Sequence, residues 1–485
     1  MGIVLKQSLA NTIITYIGFG FGAINTLFLY TRFLTDQYYG LVGVILSAAA
    51  VLMPILAFGV PNTLIKYYAT FKKSKDADGF FSLMLLLPLL LILPIALLSY
   101  FSYDLIGNFL AQENALVKDY VWYIFLIGMA MAYFEVFYAW SKVHMKSVFG
   151  NFMKEVFSRV GVLILLILIY LEIIDVALFL KLLVGVYLLR TLIMKIYAYT
   201  LRLPKLQFNF PKNIKSILNY SVLIIIGGSI ATVLLEIDKV MLNQFIKINN
   251  VAYYSVAIFI ATVVSVPSRA MHQITYPLTA ELLNKNDING LKALYQKSAL
   301  TLFIVSGLIY ILIILNLSDL YVLLPEKYSY GFTVVFCIGL VKVYDALLGN
   351  SNAILYNSDY YKALLVMGVI LAVCTILFNI WLIPKYGLEG AAYASFLAIS
   401  LYNTIKIIFV KIRFGILPFT SEILQVLALL LLLGIAFYIL KTPFHPIVNI
   451  IIKSIFLTIL YIWGLYRFKI SEDVSNIISK VFKKK

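Results

Sequence analysis

Apolar runs set the rhythm of this chain. They follow one another from Ser8 to Tyr466 with only short polar gaps between them. A helix needs roughly 20 apolar residues to cross the hydrocarbon core of a bilayer. About fourteen segments approach or exceed that length: 8–31, 39–65, 80–105, 119–140, 152–171, 176–199, 216–243, 251–278, 299–320, 329–353, 362–383, 387–409, 422–440 and 446–467. The gaps between the fifth and sixth and between the eleventh and twelfth are tight, so the pattern also admits twelve or thirteen spans. It predicts an all-α integral membrane protein. No gap has the length of a folded soluble domain.

An even number of spans puts both termini on one side. If that side is the cytoplasm, the cytoplasmic loops hold Lys66, Lys72, Lys73 and Lys75; Lys142, Lys146 and Lys154; Arg202, Lys205, Lys212 and Lys215; Lys285, Lys292 and Lys297; Lys411 and Arg413; and a tail with Lys480, Lys483, Lys484 and Lys485. The opposite loops hold only Arg32, Lys118, Lys247, Lys327, Lys385 and Lys441. This asymmetry, about threefold, is the signature by which basic residues hold loops inside.

Composition agrees. Of 485 residues 62% are hydrophobic and 13% charged, where soluble domains are nearer half apolar and a quarter charged. The net charge of +17, from 39 Lys+Arg against 22 Asp+Glu, is read as an orienting signal rather than as a nucleic-acid footprint. Cys337 and Cys374 form no CxxC pair, and His144, His272 and His445 lack metal-ligand spacing, so no disulfide framework, metal site or cofactor is expected. A Walker A loop is absent, which argues against ATP hydrolysis. Lys6 precedes a long apolar run with no small-residue cleavage site, so a retained first helix is expected.

Polar residues inside the spans carry the candidate chemistry, because a charge at the bilayer centre costs about 2.5–3.5 kcal/mol and persists where it meets a partner or water. Ser265, Arg269, His272 and Tyr276 recur at spacings of four, three and four, which places them on one helical face beside Pro267. Lys342 and Asp345 share a face of the tenth span. Arg269, His272, Ser265, Lys342 and Arg159 are the candidate substrate contacts. A mixed Arg/His/Lys lining suits an anionic head such as a diphosphate, whose oxygens match the planar guanidinium fork. Asp238, Glu135 and Asp345 are the candidate ion-coupling carboxylates, and Glu236 and Lys239, three apart, are read as a structural pair. Arg159, Arg190 and Lys406 lie toward the cytoplasmic ends of their spans, where long side chains snorkel to the interface.

Two connectors look amphipathic: Leu283, Ile288, Leu291, Leu294 and Tyr295 among lysines, and Val148, Phe149, Phe152 and Val156 near Lys146 and Lys154. Both are expected on the inner leaflet. Pro54 and Pro61, Pro88 and Pro94, Pro267 and Pro277, and the pair Gly227–Gly228 interrupt their spans and predict bends.

The stretch Phe33-Leu34-Thr35-Asp36-Gln37-Tyr38-Tyr39-Gly40-Leu41-Val42 recurs, six spans later, as Phe245-Ile246-Lys247-Ile248-Asn249-Asn250-Val251-Ala252-Tyr253-Tyr254-Ser255-Val256. Six is even, so the units run the same way. That predicts parallel repeats about an axis along the membrane normal, with a cavity between them: an N-lobe over 1–212, a C-lobe over 213–415, and two further spans with a basic tail over 416–485.

The run Ile383-Pro384-Lys385-Tyr386-Gly387-Leu388-Glu389-Gly390-Ala391-Ala392-Tyr393-Ala394 resembles a recurrent feature of polysaccharide-export flippases, as do the Phe33–Val42 hairpin and Asp238-Lys239-Val240-Met241-Leu242 followed by Val251-Ala252-Tyr253-Tyr254. Those proteins belong to the superfamily that also holds multidrug extrusion transporters and the lipid II flippase. The resemblance implies two six-helix lobes, often with two added helices. It implies transfer of an undecaprenyl-diphosphate-linked oligosaccharide across the bacterial inner membrane by alternating access. The implied partners are that anionic lipid-linked glycan, membrane lipids and other polysaccharide-assembly proteins, with a monomer as the working unit, no nucleic acid and no enzymatic step. The first two spans lack the core arginines by which lipid II flippases resemble one another, which lowers that reading. A cation antiporter of the same superfamily would want an acidic excess inside, and a glycan polymerase would want a long catalytic loop. The interior charges here are mixed and no such loop exists.

Overall fold

The computed structural model describes residues 3–72, 76–211, 213–439 and 444–471. Lys73, Lys75, Lys212, Lys441, Lys480, Lys483, Lys484 and Lys485 lie outside the described residues. Among the described residues there is helix and no strand, and 11 helical runs are long and apolar enough to cross a membrane. One of them, Tyr361–Phe414, is 54 residues long and changes direction at Gly387. That glycine has φ 57° and ψ −128°, a conformation closed to residues with a β-carbon, and it divides the eleventh predicted span from the twelfth. The fifth and seventh predicted spans are helical as well, over 147–170 and 214–245. All fourteen predicted segments therefore fall on helix.

The chain forms two compact units, Met1–Ser255 with Asn379–Gly387, and Val256–Phe378 with Leu388–Lys485. The first unit is built from α1 (Ile3–Ala23), α2 (Asp36–Leu56), α3 (Val60–Phe71), α4 (Ala77–Leu86), α5 (Leu89–Phe101), α6 (Val121–Val143), α7 (Ser158–Tyr170), α8 (Val176–Leu201), α9 (Ile214–Phe245) and the start of α10 (Asn249–Thr262). Some prolines mark the breaks, but Pro54, Pro94 and Pro277 lie inside α2, α5 and the later helix 266–284, so the expected interruptions at those three are corrected. Pro61 stands in the first turn of α3 after the bend at 57–59, and Pro88 separates α4 from α5. The pyrrolidine ring removes a backbone donor and favours a helix start. By contrast α9 runs unbroken through Gly227–Gly228, so the expected interruption there is corrected: glycine lowers helix propensity but does not remove the backbone donor.

Helix α6 packs against α2, α3 and α8, and α2 packs against α9. An aromatic core fills the space, with Phe71 stacked on Phe80 at 4.6 Å and Phe81 against Trp140 at 4.3 Å. The two recurrent turns meet within this unit. Tyr253 donates its hydroxyl to Asp36 Oδ2 at 2.8 Å, and a β-carbon added at Gly40 would stand 2.1 Å from the Ile248 carbonyl oxygen. Only glycine permits that approach. In each turn the second tyrosine reaches back to the preceding helix: Tyr39 to the Thr26 carbonyl at 3.2 Å, Tyr254 to Asp238 at 2.6 Å.

The second unit is built from the end of α10, α11 (Val266–Asn284), α12 (Ile288–Val322), α13 (Phe332–Leu347), part of α14 (Tyr361–Phe414), α15 (Ser421–Ile439) and α16 (Pro446–Arg467). Helix α12 is its hub and packs against α11, α13, α15 and α16. Phe303, Ile304, Val426, Leu430 and Tyr461 form its core. An ion pair, Lys453 Nζ to Asp319 Oδ2 at 2.7 Å, ties α16 to α12. Outward faces are apolar: Ile455, Ile459 and Trp463 recur every four residues on α16 and are all exposed, a stripe suited to acyl chains.

Neither amphipathic connector is a separate surface helix. Ile288 opens the long α12, and Leu291 and Tyr295 are wholly buried against Ile354, Leu355, Val410 and Ile416. The apolar face that looked fit for a leaflet is core. The segment 147–157 runs straight into α7, with Val156 buried and Phe149 against Tyr197.

Candidate functional site

In the second unit, the eighth predicted span does not hold one continuous face. A 3₁₀ turn at Val263–Ser265 separates α10 from α11, with Pro267 in the first turn of α11. Ser265 closes that turn, donating to the Thr262 carbonyl at 2.8 Å. Arg269, His272 and Tyr276 follow on the new helix. Arg269 is exposed and has no partner among the described residues. The His272 ring stands edge-on to Tyr276 at 5.8 Å, and its Nδ1 is buried without a partner.

Helix α13 packs against the 263–265 turn and brings Lys342 and Asp345. Lys342 is half-buried and has no partner among the described residues. Asp345 faces Lys406 of α14, Nζ to Oδ1 at 4.0 Å. Lys406 is 1% exposed; it donates to Asn352 Oδ1 at 3.0 Å and lies 4.4 Å from the centre of the Tyr402 ring. The expectation that Lys406 snorkels is therefore corrected: its ammonium is buried, and neighbouring helices supply the partners that the interface would have supplied. The second unit thus carries Arg269 on α11, Lys342 on α13 and Lys406 on α14, of which Lys406 faces Asp345.

In the first unit, Arg159 and Glu135 belong to a charged layer at the junction of α6, α7 and α8. Arg159 Nη1 donates to Glu155 Oε2 at 3.0 Å and to the Glu155 carbonyl at 2.9 Å. A π turn at Met153–Phe157 precedes α7, and Asn25, on a second π turn, donates to the Arg159 carbonyl at 2.8 Å. Such turns widen the backbone ladder and recur at functional positions. Lys154, on the first of them, donates to Glu135 Oε1 at 2.6 Å. Lys142 lies over the Tyr138 ring at 3.8 Å. Arg190 is buried, stacked on Phe134 at 4.2 Å, with its Nε lacking an acceptor. It does not snorkel either; the aromatic faces hold a weakly hydrated guanidinium where an ammonium would need oxygen.

Asp238 is buried on α9. It accepts from Tyr254 at 2.6 Å and from Asn379 Nδ2 at 2.8 Å, while Asn379 Oδ1 has no partner. Glu236 accepts from Lys239 at 3.0 Å and from Ser47 at 2.6 Å, so this pair is structural. No group of three or more His, Cys, Asp or Glu side chains gathers at metal-binding distance among the described residues.

The run over 383–394 forms the bend of α14. Its alanines 391, 392 and 394 are fully buried, and Glu389 accepts from Thr333 at 2.8 Å and from Tyr393 at 3.2 Å. Lys142, Lys154, Arg190, Lys406 and Asn379 were not singled out as site residues from sequence. Lys406 and Arg190 sit near apparent span ends, and only the packing of distant helices reveals what they meet.

The family described as polysaccharide biosynthesis protein matches residues 4–283. No curated protein sequence matches the chain significantly. Among solved structures, the chain is similar to lipid II flippase MurJ in an inward closed conformation, at 14% identity and a TM-score of 0.72, over 96% of this chain and 100% of that one. It is also similar to a multidrug resistance MATE family transporter in an inward-facing conformation, at 14% identity and a TM-score of 0.65, over 85% and 98% of the two chains. A third likeness is to a MOP superfamily transporter from Pyrococcus furiosus, at 12% identity and a TM-score of 0.56, over 85% and 95%. At these identities the likeness is one of fold. The chain is a multi-pass membrane protein of the flippase and transporter fold, and it belongs to the polysaccharide biosynthesis protein family.

Proposed function

We propose that the protein is a flippase that moves an undecaprenyl-diphosphate-linked oligosaccharide from the inner to the outer leaflet of the bacterial inner membrane by alternating access, for cell-surface polysaccharide assembly. It makes and breaks no covalent bond. The physical task is desolvation, since a polar glycan and a diphosphate must pass a slab in which unpaired polar groups are penalised by several kcal/mol each. The observation that carries the reading is the exposed, unpaired Arg269 on a membrane-spanning helix of the unit that also holds Lys342 and the buried Lys406. In this reading Arg269 grips two diphosphate oxygens by its planar fork, and Lys342 balances the remaining charge. His272 and Ser265 meet the first sugar. Arg159 serves as a separate contact in its own unit. Asp238, Asp345 and Glu135 are the coupling carboxylates. Asp238 is the most deeply buried of these, held by Tyr254 and Asn379.

Purified protein in vesicles carrying the lipid-linked oligosaccharide in one leaflet should render that glycan accessible to an impermeant glycosidase on the other side. Protein-dependent movement of a cationic dye in place of the glycan would overturn the reading in favour of an antiporter. Both termini are proposed to be cytoplasmic and the protein to act as a monomer. A reporter fused after Lys485 should read as cytoplasmic, and an external signal would reverse the orientation.

A further inference from the structure

Between α8 and α9 the chain crosses the first unit without helix or turn. Arg202 leaves α8 in an extended conformation, with φ −157° and ψ 113°, and residues 203–210 continue outside any helix. The first turns of α4 hold this segment. Arg202 pairs with Asp78 at 2.8 Å and lies over the Phe81 ring at 4.4 Å. The Ser82 hydroxyl stands 3.2 Å from the Lys205 carbonyl oxygen and accepts from the Gln207 N–H at 2.9 Å. A β-carbon added at Gly79 would stand 2.1 Å from the Asn209 carbonyl oxygen, so the chain lies tight against the helix. Phe210 packs on the aromatic core. Three large apolar side chains are nevertheless left uncovered: Leu203 is 70% exposed, Leu206 64% and Phe208 74%.

The depth of the segment identifies what covers them. Helices α4 and α5 form one apolar run, Ala77–Phe101, of 25 residues. At 1.5 Å per residue it is about 37 Å long, about 7 Å more than the hydrocarbon core, so about 4 Å stands outside that core at each end. Gly79 then lies about 3 Å and Ser82 about 8 Å from the end of the run, on either side of the boundary between headgroups and acyl chains. A soluble protein would have to pass the headgroups to reach Leu206 and Phe208. Irregular backbone is excluded from hydrocarbon but not from this boundary, where water and headgroup oxygens serve it. The backbone groups of Leu206 and Phe208 make no hydrogen bond among the described residues, which suits that environment. Leu189, Leu192 and Ile196 of α8 are exposed at spacings of three and four, a lipid-facing stripe that runs toward the segment. Lys195 and Lys205 are exposed and long enough to reach lipid phosphates. We infer that residues 203–208 are an interfacial anchor, which sets Leu203, Leu206 and Phe208 into the leaflet at the C-terminal end of α8 with the lysines at its headgroups. The leaflet contact expected of the two amphipathic connectors falls here instead. The anchor is independent of the cargo; the proposed orientation serves only to name its leaflet as the inner one.

The test places a nitroxide label at Leu206→Cys or Phe208→Cys in the full-length protein carrying Cys337→Ser and Cys374→Ser. Each labelled protein is reconstituted in vesicles of phosphatidylethanolamine and phosphatidylglycerol. Collisions of the label with oxygen, which concentrates among acyl chains, are compared with collisions with a water-soluble nickel chelate. Oxygen should dominate at both positions, as at Leu192→Cys on the lipid-facing stripe of α8. The chelate should dominate at Lys285→Cys, at the exposed end of α11. Dominance of the chelate at both segment positions would put the segment in water, within reach of a soluble partner, and overturn the anchor. Exclusion of both colliders would mean that protein covers the segment, and would overturn it as well. Protein that moves no lipid-linked glycan in the same vesicles would end the flippase reading and leave the anchor standing.

Discussion

Replacing Arg269 by Ala is expected to abolish glycan export while the amount of inserted protein stays at the wild-type level. The two halves of that result have separate physical grounds. Arg269 is exposed and unpaired among the described residues, so its removal breaks no hydrogen bond and leaves no counter-charge stranded in the fold. What is lost is the proposed grip on the substrate. A hydrogen bond to a charged group contributes about 1.5–3 kcal/mol, and each 1.4 kcal/mol is a factor of ten in affinity. A bidentate contact with a diphosphate would therefore be worth well over a hundredfold. Arg269→Lys should recover part of the activity, because a lysine supplies the charge without the fork. Surface glycan and membrane-inserted protein measured in the same cells would decide the matter. Normal export by the Ala variant would refute a substrate role for this residue.

Glu135→Ala is expected to destabilise the first unit strongly. The carboxylate accepts from Lys154 at 2.6 Å, and the charges of Lys142 and Arg190 also act on it. Its loss leaves Lys154 without its ion-pair partner, and Glu155 as the remaining carboxylate near Lys154 and Arg190. Breaking a buried ion pair by removing one partner typically costs about 3–5 kcal/mol. The effect should fall toward the lower end here, since the Lys154 side chain is 44% exposed and water can take over part of the carboxylate's role. Pairing the change with Lys154→Ala should restore much of the loss, because the double variant removes the stranded charge along with its partner. Thermal unfolding of the purified single and double variants measures this directly. An unchanged midpoint for Glu135→Ala would mean that the pair contributes nothing to the fold. The pair Lys285–Glu281 makes a useful control: it is solvent-exposed at the C-terminal end of α11, and its loss should go unnoticed.

The site was less legible than the fold. Glu236 and Lys239 could be paired from their spacing alone, because three residues along a helix set two side chains on one face, and the ion pair forms at 3.0 Å. Lys406 could not be assigned in that way. Its partners Asn352 and Asp345 lie more than fifty residues away on other helices, and nothing local distinguishes a lysine that reaches the interface from one held inside. Leu291 and Tyr295 misled for a related reason. A stripe of apolar residues beside lysines serves equally for a leaflet or for a neighbouring helix, and here Ile354, Leu355 and Val410 cover it.

Local chemistry decided that every predicted span is a helix, because a backbone in hydrocarbon must satisfy its own donors and acceptors within one segment, and a long apolar run leaves no other solution. It also decided the breaks at Pro61, Pro88 and Pro267, where a missing donor acts on its own turn. Tertiary packing decided the pairing of charges, from Lys154 with Glu135 to Lys406 with Asn352, and the approach of Gly40 to Ile248. Those contacts join residues distant along the chain, and their energies depend on burial and distance, which no single segment carries in its own order of residues.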